Sequence, residues 1–171
     1  AGTSTPVRTI CEVNMNFPLV DPSTLFAPVN HTYFYQDPNR DNKLVDVFRS
    51  LQCYNDIPTT QPIVIGKGVL ITADEARDIT QPEADYLIQI SGGRILNCYQ
   101  NAMQSPPQCL LSMSNDADGL IRCDTIPPIL LTADHNNAHA ALVDFEGEQR
   151  VILYATRPIP RYTDIMWSYA M

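Results

Sequence analysis

The sequence predicts a mainly β fold with short helices. Proline, which is costly inside helices, outnumbers glycine by 14 to 7, and this favours many short elements joined by stiff loops. Two segments alternate apolar and polar side chains on either side of a glycine-containing turn, which is the pattern of β-hairpins. Hydrophobic residues make up 44% of the 171 residues. The chain can therefore build a core, and its length favours one domain or at most two.

Short helices are predicted at three places. The first covers residues 42–53, where apolar side chains recur with helical spacing at Leu44, Val47, Phe48 and Leu51. The second begins after Thr72, which forms a capping box with Glu75, and runs to about Asp78. Residues 107–114 are the third candidate.

The predicted strands form two hairpins and two single strands. They cover residues 63–71, 85–90 with 94–99, 139–145 with 149–155, and 164–169. The first hairpin turns at Gly92-Gly93 and the second at Glu146-Gly147. Gly66 or Gly68 is expected to bend the strand at residues 63–71.

Net charge and hydropathy argue against nucleic acid and membranes as partners. The chain carries 11 Lys and Arg against 19 Asp and Glu, a formal net charge of −8. Phosphate backbones would repel such a surface, so nucleic acid is not expected as a partner. No apolar run is long enough to span a membrane, and the amino end lacks the regions of a signal peptide. We therefore expect an intracellular protein, nuclear or cytoplasmic.

Metal binding is not predicted. The 5 cysteines show no C-x-x-C spacing, so a zinc cluster is poorly supported and buried thiols are expected. His135 and His139 stand four residues apart, but the residues that follow alternate as a strand rather than a helix. A glycosylation motif at Asn30 is a single three-residue match and is discounted.

A series of short motifs in the carboxyl-terminal two thirds carries a family resemblance. Residues 150–160 match a strand followed by A-x-R-x-I, and residues 165–169 fall on L-T-Y-D-Y. Upstream, Asn115-Asp116-Ala117 matches a variant of N-H-S, and residues 68–76 match G-E-L-I-T-x-x-E-A. In their order and spacing, these blocks resemble the SET domain, the fold of protein lysine methyltransferases.

The resemblance implies a SET-like fold of small curved sheets with a knot-like carboxyl-terminal crossing. Residues 57–171 would form this domain, and residues 1–56 would be an amino-terminal extension, with a short helix, packed on it. The implied activity is S-adenosylmethionine-dependent methylation of a lysine in a protein substrate. The implied substrate is a basic, histone-like tail that adds a strand to a sheet edge, and the acidic net charge fits such a partner.

The resemblance also assigns site residues. Tyr169 would be the terminal tyrosine whose hydroxyl faces the transferred methyl group, Trp167 would limit how many methyl groups fit, and Tyr86 would line the lysine channel. Rigid side chains with an apolar body and a hydroxyl tip suit such a channel. Asn115, Asp116 and Ala117 would bind the cofactor. The alternative for the aromatic residues is a place in the core, and for the polar segment an ordinary turn.

Departures from the family pattern favour a second hypothesis. Val45-Asp46-Val47-Phe48 stands where the family has the G-x-G that lets the backbone approach the cofactor. Asp116 replaces a histidine, and Arg161-Tyr162-Thr163 replaces G-E-E. The alternative is therefore a SET-like domain without catalysis that serves as a protein-interaction module. A third reading, an unrelated β-rich secreted or structural protein, is favoured only by the motif at Asn30.

Overall fold

The computed structural model describes residues 18–90, 93–145 and 147–169. Within these residues the chain forms twelve short strands and two short α-helices, which confirms the mainly β prediction. The strands are β1 (Leu25–Phe26), β2 (Tyr33–Asp37), β3 (Lys43–Asp46), β4 (Gln52–Cys53), β5 (Pro62–Ile65), β6 (Val69–Thr72), β7 (Leu87–Gln89), β8 (Arg94–Asn97), β9 (Ile121–Arg122), β10 (Ile129–Leu130), β11 (Ala138–Phe145) and β12 (Glu148–Ala155). The helices are α1 (Ala73–Arg77) and α2 (Tyr99–Ala102). Single 3-10 turns cover Pro22–Thr24, Pro38–Arg40, Glu83–Tyr86, Leu110–Met113 and Ala133–His135.

The strands build four small sheets whose pairings are all antiparallel. Their strand orders are β1-β4, β10-β9-β2-β3, β11-β12-β5 and β6-β8-β7. No described helix is long and apolar enough to cross a membrane.

The β11-β12-β5 sheet is buried on both faces. Successive residues of a strand point to opposite faces, and here Leu142 and Leu153 join the main core whereas Val143 and Ile152 join a second, smaller cluster. This explains why β11 and β12 are almost continuously apolar. The predicted hairpin is confirmed, although Glu146 of its turn lies outside the described residues.

The carboxyl-terminal segment, residues 164–169, is held by several distant parts of the chain. The Asn137 side chain donates to the Asp164 carbonyl at 2.9 Å and accepts from the Met166 amide at 2.9 Å. Single parallel bridges join Met166 to Asn115 and Trp167 to Ala138. The predicted strand at 164–169 is therefore wrong, because its backbone bonds are divided among several partners instead of forming one ladder.

The predicted helix over residues 42–53 is also wrong. The chain forms β3, a turn and β4 there, and Leu44 and Phe48 of the expected apolar face are 49% and 48% exposed. Phe48 adopts a left-handed φ of 70°, which cannot be accommodated within a right-handed helix. The pairing of β3 with β2 prevails over the local spacing.

Glycine divides the strand that was predicted over residues 63–71 into β5 and β6. A Cβ on Gly68 would lie 2.4 Å from the Asn97 carbonyl oxygen, so β6 can approach β8 this closely only through glycine. Helix α1 follows β6 with the predicted capping box: Thr72 Oγ1 accepts from the Glu75 amide at 3.1 Å, and Glu75 accepts from the Thr72 amide at 3.2 Å.

Two other predicted elements are shorter than expected. The strand at residues 85–90 begins as a 3-10 turn and pairs only over β7, and residues 107–114 contain a single 3-10 turn. Ser91 and Gly92 of the first hairpin lie outside the described residues. The remaining hairpin prediction is confirmed by the β7-β8 pairing.

Strands of the amino-terminal residues join the same sheets as the later ones. β2 pairs with β9, and Leu25, Leu51 and Cys53 belong to the main core. No α-helix occurs within the described residues 18–56. The domain boundary at residue 56 stays a prediction.

Candidate functional site

A cleft of about 530 Å³ opens between the turn that follows β3 and the loop that follows α2. This volume lies within the usual range for small-molecule sites. The lining residues are Val47, Phe48, Arg49, Tyr86, Ala102, Met103, Gln104, Ser105, Pro107, Ser112, Met113 and Asn115. The cleft is mostly uncharged, with aromatic rings and thioethers beside a few amides and hydroxyls.

The turn after β3 is built by hydrogen bonds around Phe48. Its amide donates to Asp46 at 2.8 Å, and its carbonyl accepts from the Asn30 amide at 2.8 Å. His31 lies 2.5 Å from the Asp46 carboxylate and packs edge-on against the Phe48 ring at 5.5 Å. Partial burial raises the pKa of Asp46, but the bonds from His31 and the Phe48 amide outweigh it and hold the pKa below its ordinary value.

Ser114 joins the two carboxyl-terminal aromatic residues. Trp167 Nε1 donates to Ser114 Oγ at 2.8 Å, and the Tyr169 hydroxyl donates to the Ser114 carbonyl. The two rings pack edge-on with centroids 4.9 Å apart. Trp167 is only 6% exposed. It therefore also fits the alternative role given above, that of a residue of the core.

Tyr169 is exposed on one side and buried at its tip. The side chain as a whole is 55% exposed, but the hydroxyl points inward to Ser114. Burial raises the pKa of Tyr169, and the neighbouring Asp116 and Tyr86 raise it further. The hydroxyl therefore stays protonated at neutral pH. Tyr86 itself lines the cleft, with its ring edge-on to Tyr99 at 5.4 Å.

The segment Asn115–Ala117 connects the cleft to these aromatic residues. Asn115 lines the cleft, donates from its side chain to the Arg49 carbonyl at 2.7 Å, and accepts the Trp167 amide at 3.0 Å. Asp116 accepts the Tyr169 amide at 3.0 Å, whereas Ala117 is fully buried. Asp116 and Ala117 do not line the cleft, so they act on it only through the residues that they hold.

Two buried cysteines lie close to residues that line the cleft. Cys98 immediately precedes α2, and Cys109 accepts a 3.4 Å hydrogen bond from Ser112, which lines the cleft. A hydrogen bond from the Cys98 thiol lowers the pKa of Cys109 below its ordinary value despite its burial. Among the described residues, no group of three or more metal-ligating side chains exists.

Of the predicted site residues, Tyr86 and Asn115 line the cleft, while Trp167 and Tyr169 bond Ser114 and are not among the lining residues. Sequence reasoning missed Phe48 and Arg49, because it placed both in a helix. The sequence does contain a signal for them. Phe48 lies within residues 45–48, which stand where the family has its glycine-rich motif, and Arg49 follows directly. Their individual roles stay predictions.

Comparison with solved structures identifies the fold. ATXR5 in complex with mono-methylated histone H3.1 matches 85% of this chain with a TM-score of 0.53 at 13% identity. ctPRC2 bound to S-adenosylmethionine in an autoinhibited conformation matches 85% with a TM-score of 0.53 at 14% identity. Arabidopsis thaliana SUVH6 in complex with SAM matches 83% with a TM-score of 0.52 at 13% identity. The chain has a SET-like fold.

The likeness is one of structure rather than sequence. The chain spans 56%, 15% and 29% of the lengths of these three proteins. No family model and no curated protein sequence matches it.

Proposed function

We propose that this SET-like domain binds S-adenosylmethionine in the cleft and methylates a lysine side chain of a protein substrate. The observation that carries the proposal is the connection between the cleft and the carboxyl-terminal segment. Asn115 lines the cleft and also bonds the backbone of Trp167, next to Tyr169. Solved structures with this fold include complexes with the cofactor.

The residues of the cleft fit this cofactor. Phe48 and Tyr86 supply aromatic surface, and Met103 and Met113 supply polarisable thioethers. Asn115 and nearby backbone groups supply hydrogen-bonding partners. When bound, the cofactor supplies an electrophilic methyl group on a sulfonium. The protein has to exclude water, align the amine nitrogen with that methyl group, and leave the amine neutral.

Tyr169 is suited to orient the reacting groups. Its hydroxyl proton is committed to the Ser114 carbonyl, so the lone pairs of its oxygen are left to accept a hydrogen bond. This oxygen is neutral at pH 7, as in any tyrosine with a pKa of about 10 or higher, and a fixed dipole needs no reorganisation during the reaction. Trp167, packed edge-on against Tyr169, would narrow the channel and favour transfer of a single methyl group.

The proposed substrate is a basic segment such as a histone tail, in the nucleus or cytoplasm. The net charge of −8 favours a partner rich in lysine and arginine. An extended peptide can add to an open sheet edge. β6 is such an edge in the described sheets, and its Val69 and Leu70 are 62% and 50% exposed.

A catalytically inactive interaction module is the second candidate. The turn at Val47 and Phe48 favours this candidate. The side chains of both residues line the cleft, at the place where the glycines of the family would let the backbone approach the cofactor. Phe48 is also 48% exposed, as an interaction surface would require.

Calorimetric titration with S-adenosylmethionine separates the two. Binding at micromolar concentration supports the enzyme, whereas no binding at millimolar cofactor refutes it and leaves the module. If the cofactor binds, Tyr169→Phe should abolish methyl transfer to mixed histones with nearly unchanged cofactor affinity. Tyr35→Phe, on the exposed part of β2, is the matched control and should keep full activity. Equal activity of Tyr169→Phe and the wild type would show that Tyr169 is not catalytic.

A further inference from the structure

Arg49 is the one charged side chain among the residues that line the cleft, all of which the structure describes. We infer that Arg49 binds the carboxylate of the ligand that occupies the cleft. This inference rests on the proposed function, because it takes that ligand to be S-adenosylmethionine, which carries one carboxylate on its amino-acid end.

Both backbone groups of Arg49, its amide and its carbonyl, form hydrogen bonds. Its amide donates to the Val47 carbonyl at 2.8 Å, and its carbonyl accepts from the Asn115 side chain at 2.7 Å. The preceding Phe48 has its left-handed φ of 70° at the same turn. These constraints fix where the side chain leaves the backbone.

The guanidinium of Arg49 reaches into the cleft. Its Nη1 lies 3.5 Å from the Met113 sulfur, and its charge acts on the hydroxyl of Tyr86, partly offsetting the effect of burial on the pKa of that group. Both of these neighbours line the cleft. The positive charge therefore stands beside the space that a ligand would occupy.

This guanidinium lacks the carboxylate partner that three other arginines have. Arg40, Arg77 and Arg122 each pair with an aspartate. For Arg49, no carboxylate within the described residues lies in ion-pair distance, and a thioether is a weak acceptor. A guanidinium carries five donors in a fork that matches a carboxylate, and it prefers a bidentate pair.

The position of Arg49 also gives the ligand an orientation. Asn115 links Arg49 to the backbone of Trp167. A carboxylate bound at the Arg49 guanidinium lies beside Met113, which is next to Ser114, the residue that holds Trp167 and Tyr169. The sulfonium lies a few bonds from that carboxylate, so the methyl group would be on the side of Trp167 and Tyr169.

The test compares two ligands that differ by one carboxylate. They are S-adenosylhomocysteine and its decarboxylated analogue, which keeps the adenosine, the thioether and the amine. Calorimetry measures the affinity of each for the wild type, for Arg49→Met and for Arg77→Met. Arg77 lies on α1, is paired with Asp74 and serves as the control.

We expect Arg49→Met to weaken S-adenosylhomocysteine binding by about 10- to 100-fold, the size of a lost charged hydrogen-bond pair. Binding of the decarboxylated analogue should not change, and Arg77→Met should bind both ligands as the wild type does. If the wild type binds S-adenosylhomocysteine and Arg49→Met binds it equally well, or loses both ligands equally, the role of Arg49 is refuted and the proposed function stands. If the wild type binds neither ligand at millimolar concentration, the proposed function and this inference both fall.

Discussion

The hydrogen bond between Trp167 and Ser114 makes a quantitative prediction. Trp167 Nε1 donates to Ser114 Oγ at 2.8 Å, and the two residues are only 6% and 1% exposed. In Ser114→Ala the indole N–H loses its partner in a place that water does not reach. An unsatisfied buried donor costs about 1–3 kcal/mol. The substitution also removes the bond from Ser114 Oγ to the Leu111 carbonyl, so we expect the free energy of unfolding to fall by at least that amount.

Urea unfolding measures this loss. The chain has 1 tryptophan, so intrinsic fluorescence reports directly on the surroundings of Trp167. Ser112→Ala is the matched control, since the Ser112 hydroxyl bonds thiol sulfur atoms, that of Cys109 at 3.4 Å, and sulfur is a weak acceptor. It should change the free energy of unfolding by less than about 0.5 kcal/mol.

A double-mutant cycle tests the cause of the loss. Trp167→Phe removes the donor, so adding Ser114→Ala to that variant should cost less than Ser114→Ala costs alone, with only the bond to the Leu111 carbonyl left to lose. Circular dichroism follows unfolding where tryptophan is absent. Strictly additive losses, or a Ser114→Ala variant within 0.5 kcal/mol of the wild type, would refute the role assigned to this bond.

Three further predictions concern single residues. Burial raises the pKa of Asp164 above its ordinary 3.8, so its protonated form contributes stability that is lost as pH rises through the folded pKa. In Asp164→Asn, this loss of stability between pH 4 and neutrality should disappear. If the midpoint of urea unfolding falls with pH as steeply in the variant as in the wild type, the prediction is wrong. Thr60 is a β-branched residue with a left-handed φ of 68°, so its backbone is strained. Thr60→Gly should raise the free energy of unfolding by about 0.5–1 kcal/mol. A melting temperature of this variant below that of the wild type would contradict the prediction. Gly68→Ala would place a methyl group 2.4 Å from the Asn97 oxygen and should cost about 1–3 kcal/mol in thermal unfolding, whereas an unaffected melting temperature would contradict the close approach.

Local signals predicted the elements that depend on neighbouring residues. The capping box of Thr72 and Glu75 predicted the start of α1, because both of its hydrogen bonds form within one turn. The two apolar segments on either side of the turn at residues 146–147 predicted the β11-β12 hairpin, since a strand pairs with its neighbour through a short turn. The order of the motifs predicted the SET-like fold for the same chain that matches solved SET-domain structures at 13–14% identity.

The failures share a different cause. Residues 42–53 have helical spacing, yet the pairing of β3 with β2 offers backbone partners that a helix of this segment cannot match. The sequence predicts a strand over residues 164–169, yet their backbone groups are bonded by Asn115, Asn137 and Ala138 from separate parts of the chain. Spacing within a segment carries no information about such distant partners.

By itself, then, the sequence determined the β-rich class, the local turns and caps, and the order of motifs that resembles a SET domain. The tertiary structure decided which residues share the cleft. Arg49, Tyr86 and Asn115 come together there, although they are far apart in the chain. The physical reason is that the cleft is enclosed by side chains from four separate turns, and the long-range hydrogen bonds that position those turns leave no periodic trace in the sequence.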